Sequence, residues 1–150
     1  MSPEELITAN LEARLRMLTV TNGFSCDAGD RVYQNLEYST VSDVRPCLIY
    51  YPGEITSGID GDVPPCLGEL NNNLPIVIEG FVDDQERGEA GDQLKRDICT
   101  LIRRDQTFGG NAEMLSNYQI KSSATPQDGG DSGFFSVVRI EFSIFYVTAV

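Results

Sequence analysis

Gly130-Asp131-Ser132-Gly133 has the residue order in which serine hydrolases present their nucleophile. That chemistry needs a histidine to take the serine proton, and the chain contains none. The sequence predicts a polar turn between two strands there instead. Asp60-Gly61-Asp62 has the opening of a calcium loop. Such a loop needs further oxygen ligands at fixed spacing and a closing glutamate. Pro64 and Asn71 stand at those two positions, so a solvated turn is expected. The neighbours Asp83-Asp84 and Glu86 with Glu89 suggest the paired carboxylates of a glycosidase. With 23 acidic residues such neighbours arise by chance, and no tryptophan offers a sugar platform. The cysteines, at 26, 47, 66 and 99, show no C-x-x-C pair, which argues against structural zinc. No phosphate-cradling glycine motif is present. The expectation is a chain with no catalytic residue, no cofactor and no metal.

The elements that would position these residues are legible in part. Residues 2–18 read as a helix. Ser2 is the N-cap, Pro3 suits the first helical position, and Glu5 completes a capping box. Ile7, Leu11, Leu15 and Leu18 form its apolar stripe, and Arg14 and Arg16 suit the C-terminal dipole. Asn22-Gly23 stops it. Residues 24–45 are polar and irregular, with a short strand near Val32. Residues 46–51 and 74–82 read as strands, with Pro75 confined to a strand start or an edge. Between them, residues 52–73 form a Pro/Gly-rich acidic insertion with at most a short hairpin. A second helix is expected over 84–104, with Ala90, Leu94, Ile98, Leu101 and Ile102 inward and Cys99 as a small core residue. Gly109-Gly110 then marks a sharp turn. Residues 114–121 read as a strand and 122–133 as a loop. Residues 138–146 alternate most clearly, from Val138 to Tyr146. The pattern predicts a single α+β domain over 1–150, a mostly antiparallel sheet with two main helices packed on one face.

A chain of 150 residues can form an ordinary core unaided. The net charge of −12 excludes a protein that wraps nucleic acid, because phosphate binding needs a basic face. No apolar run approaches the roughly 20 residues of a membrane span. Met1-Ser2-Pro3-Glu4-Glu5 lacks the basic-then-apolar layout of a signal peptide, so folding in a cytoplasm is expected.

The order of elements and three local features resemble the tail terminator, or tail completion, family of long-tailed bacteriophages. The first is an N-terminal helix leading into an irregular arm. The second is the 74–82 strand followed by a long helix that ends in Asp105-x-Thr107-Phe108-Gly109-Gly110-x-Ala112. This is similar to the D-x-x-L-G-G-x-A stretch of terminators and related neck proteins. The third is the terminal alternating strand. Phe108 in place of leucine, the 52–73 insertion and the cysteines depart from that pattern.

The resemblance implies a non-enzymatic virion protein of the tail or neck, made in the host cytoplasm. Its copies would form a hexameric ring that caps the tail tube, ends its polymerisation and joins it to the neck connector. A sheath would be a further neighbour if the tail contracts. DNA would pass through without specific binding, and no membrane would be involved. A stopper or tube-like subunit is the alternative among virion proteins. A secreted, disulfide-bearing binding module is the alternative outside them. If the chain sits in a released particle, some of Cys26, Cys47 and Cys66 are expected to form disulfides there. The lumen is expected to be acidic, with Asp128 and Asp131 the first candidates, so that DNA slides without sticking.

Overall fold

A computed structural model of the chain describes residues 1–38, 44–58, 69–112, 114–115 and 119–149. The capping box closes as expected. Glu5 N–H donates to Ser2 Oγ at 3.2 Å, and Ser2 N–H donates to Glu5 Oε2 at 2.9 Å. The helix they start, α1, spans Pro3–Leu15, and Ile7, Leu11, Leu15 and the following Leu18 are fully buried. Gly23, at φ 91°, ends the short 3-10 turn that follows.

Helix α2 spans Glu89–Arg104 and begins later than the sequence suggests. The reason is Asp84, which serves the helix from outside it. Its Oδ1 accepts from Ala90 N–H at 3.2 Å and its Oδ2 from Gly91 N–H at 2.8 Å. Those groups are orphan donors of the first helical turn, and Gly88 at the N-cap has no side chain to satisfy them.

The described strands form one sheet: β1 (Val32–Gln34), β2 (Cys47–Pro52), β3 (Thr56–Gly58), β4 (Glu69–Asp83), β5 (Met114–Leu115), β6 (Lys121–Asp128) and β7 (Phe134–Ala149). Its spatial order is β1-β2-β4-β7, with β3 beside β4 and with β5 and β6 on the far side of β7. The β1–β2 pair is parallel and the others are antiparallel. The spine is β4 against β7, in register from Glu69↔Ala149 to Asp83↔Phe135. At about 3.3 Å per residue it is roughly 50 Å long.

Even-numbered residues of β4 and β7, from Leu74 to Ile78 and from Val138 to Tyr146, face the helices. Both helices bury their apolar stripes in that one cluster, with Leu94, Ile98, Leu101 and Ile102 coming from α2. The mostly antiparallel α+β arrangement with two main helices on one face is therefore present. A smaller cluster of Cys47, Ile49 and Phe81 occupies the opposite face.

Three strand expectations change. Pro75 sits inside β4 rather than at its start. Its carbonyl accepts from Gly53 N–H at 2.8 Å, so its missing N–H also points toward the gap where β2 has ended and β3 has not begun. Of the strand expected over 114–121, β5 covers Met114–Leu115 and residues 116–118 lie outside the described residues, while β6 starts at Lys121 and occupies much of the expected 122–133 loop. Seven of the eight β6 residues are exposed, so the strand is held by backbone pairing with β7 and leaves no hydrophobic alternation to read. Within the 52–73 insertion, Thr56–Gly58 pairs with 71–73, and Asp60, Asp62 and Cys66 lie outside the described residues.

The expected disulfides are overturned. Among the described residues Cys26, Cys47 and Cys99 are all free thiols. Cys47 is fully buried on one face of the sheet, while Cys26 packs against the core on the other. The sheet separates them. Burial also pushes the Cys47 thiol up to about 11 and raises that of Cys26, which disfavours the thiolate that oxidation requires. Cys99 is half-buried against the helix-side core, as its position in the stripe suggests.

Helix α2 lies close on the sheet at Gly91, where a Cβ would come within 2.5 Å of Ser136 Cβ. Alanine normally stabilises a helix interior by about 1 kcal/mol over glycine. Here Gly91→Ala is expected to destabilise by roughly 1–3 kcal/mol through overpacking, read as a lower urea midpoint. A more stable variant would contradict the close packing.

Candidate functional site

The Gly-Gly turn singled out in the sequence is built around one carboxylate. Asp105 follows the last residue of α2. Its Oδ1 accepts from Thr107 N–H at 2.9 Å and Thr107 Oγ1 at 2.6 Å, and its Oδ2 accepts from Gly109 N–H at 2.9 Å. Phe108, Gly109 and Gly110 then take φ values of 51°, 74° and 85° in succession. Glycine adopts that region freely, and Phe108 pays for it with a fully buried ring. The hydrogen bonds from Thr107 and Gly109, aided by the nearby Arg14 charge, hold the Asp105 carboxyl at about 2.

Arg14 joins this turn from α1. It is 8% exposed, although the sequence suggests only a dipole partner. Its guanidinium donates to Asp105 O at 2.5 Å and to Asn10 Oδ1 at 2.7 Å, approaches Asp105 Oδ2 at 3.4 Å, and lies 4.7 Å from the centre of the Phe108 ring. Burial pushes the guanidinium down, with Asp105 opposing that effect. One signal for it was readable. Arg14 stands three residues after Leu11 and next to Leu15, within the apolar stripe.

Of the carboxylates considered for catalysis, Asp83 and Asp84 have structural partners. Asp83 Oδ1 pairs with Arg45 Nε at 2.6 Å. Asp84 accepts from the start of α2 and from Ser136 Oγ at 2.5 Å. Both border an open, polar cleft of about 600 Å³ with Arg87, Glu89 and Gln93. Residues Gly130–Ser132 form a single 3-10 turn between β6 and β7. Asp128 and Asp131 are exposed there, and Asp128 Oδ1 accepts from Gly130 N–H at 2.9 Å. Among the described residues no group of three or more His, Cys, Asp or Glu could hold a metal ion, and no helix is long and apolar enough to cross a membrane.

On the sheet face away from the helices, Tyr38 stacks on Phe81 with centroids 3.8 Å apart. Arg45 lies 4.6 Å from the Phe135 ring centre and donates to Tyr38 Oη at 3.1 Å. The irregular 24–45 stretch gave no sequence signal for this cluster. It fastens Tyr38 and Arg45 to the sheet, and the bond from Tyr51 Oη to Leu36 O at 2.6 Å does the same for Leu36. No model of a known protein family matches the chain, and no curated protein matches it.

Asp105→Ala removes the acceptor that shapes the turn and is expected to lower stability by roughly 1–2 kcal/mol at pH 7. The native carboxyl titrates near 2 against an ordinary 3.8, so its contribution is full above about pH 4 and fades as pH falls toward 2. Urea unfolding of wild type and variant should therefore converge in acid. A gap unchanged between pH 7 and pH 2 would refute this role.

Proposed function

We propose that the chain is a structural, non-enzymatic subunit with a tail-terminator-like domain, whose copies close into a ring of about six. The ring caps a phage tail tube, ends its polymerisation and joins it to the neck connector. The finished protein resides in the virion, and DNA passes through the ring without specific binding.

The observation that carries this reading is the distribution of charge. β4 ends at Asp83 opposite Phe135, and β6 ends at Asp128 opposite Phe134. Asp84, Glu86 and Glu89 follow β4 into the start of α2, where Gly88 sits against Pro126 of β6. With Asp131, these six carboxylates outnumber the two arginines beside them, Arg45 and Arg87, at one end of the sheet. Lys95, Arg96, Arg103 and Arg104 lie further along α2, which is roughly 24 Å long at 1.5 Å per residue. A subunit with one acidic end can turn that end toward a channel and repel the DNA backbone. Further support comes from Asp83, Asp84 and the Gly-Gly turn, which are engaged in holding the fold. The alternative of a secreted, disulfide-bearing module loses its premise with the free thiols.

Mass photometry should give about six copies, or about twelve where two rings pair, alone or with tube protein, and a strict monomer under both conditions would overturn the ring. Asp128→Lys with Asp131→Lys should leave assembly intact and slow DNA ejection from particles. Normal ejection would remove these residues from the lumen.

A further inference from the structure

Helix α1 is apolar on two sides. Its inner side meets the sheet. On the opposite side Leu6, Ala9 and Ala13 recur at intervals of three and four residues, Met17 continues the line in the turn that follows the helix, and all are exposed. Leu6 is 39% exposed, Met17 48% and the neighbouring Val20 56%. Helix α2 is different, since its outer positions Gln93, Arg96, Thr100 and Arg103 are polar. A surface helix of an isolated domain needs one apolar stripe, and a second one needs something to cover it.

We propose that a second copy of this chain covers it, through an antiparallel α1–α1 pair about a two-fold axis. The stripe is self-complementary under that symmetry. Leu6 of one copy meets Met17 of the other, and Ala9 meets Ala13, with the small alanines at the centre allowing close helix approach. The charges along one flank match as well. Glu5 and Arg16, both exposed, lie on the same side of the stripe, so each Glu5 faces the other copy's Arg16. Among the described residues the Arg16 side chain, at the C-cap of α1, is held by a 3.8 Å pair with Glu12, a weak exposed contact that leaves it available. The helix is also fixed for presentation. Tyr146 Oη bonds Glu4 at one end, Tyr50 Oη bonds Glu12, and Arg14 holds the other end.

This pairing does not rest on the ring. It is tested by sedimentation of the full chain and its variants at tens of micromolar, with circular dichroism as the check on folding. The wild type is expected to associate in even numbers, and Met17→Asp to halve its mass. Glu5→Gln, which keeps the capping box, and Arg16→Gln should each weaken pairing severalfold, and the two losses should not add in the double variant, because either one breaks the same pair. A wild type that does not double, an unchanged mass for Met17→Asp, or losses that add fully would overturn the proposal. An undoubled ring would leave the ring standing and refute the pair. A dimer without a ring would do the opposite.

Discussion

A buried guanidinium is tolerated only when its donors are matched and its charge is answered. Arg14 meets that constraint at the junction of α1, the end of α2 and the turn beyond it. The positive-φ run from Phe108 to Gly110 brings the Phe108 ring under the guanidinium and the Asp105 carbonyl in front of it. Asp105 shapes the turn with its side chain and binds Arg14 with its backbone. Lysine could not reproduce this, because a point charge lacks the planar fork that reaches several acceptors at once.

That junction determines what α1 can do. Its inner leucines and isoleucine would pack against the sheet at several rotations of the helix, because apolar contact is non-directional. The directional bonds from Arg14, Glu12 and Glu4 select one rotation, and that rotation leaves the Leu6–Met17 stripe outward. At the other end of the molecule, the acidic residues around the start of α2 resist close approach by an anionic polymer. The proposed roles therefore fall on separate surfaces: an apolar helix face for pairing and an acidic end for a channel.

Features governed by local rules were legible in the sequence. The Ser2–Glu5 capping box, the Ile7–Leu18 stripe and the alternation of β7 each depend on spacing within one element. Features that depend on distant partners were not. Asp84 looks like the first residue of a helix but caps α2 across a loop. β6 is an exposed edge whose pairing with β7 leaves no mark on its polar residues. Cys26 and Cys47 look alike as residues near loops, yet they lie on opposite faces of the sheet. At the Gly-Gly turn the sequence marks the glycines and Asp105, whereas Arg14, which the turn accommodates, lies 91 residues away.

The central claim is that Arg14 holds α1 in place. Amide hydrogen exchange of Arg14→Met tests it most directly, because exchange reports the opening of individual elements. The account predicts that the α1 amides around Leu11 and Leu15 lose protection by about tenfold or more while those of β4 and β7 keep theirs. Unchanged protection along α1 would contradict it.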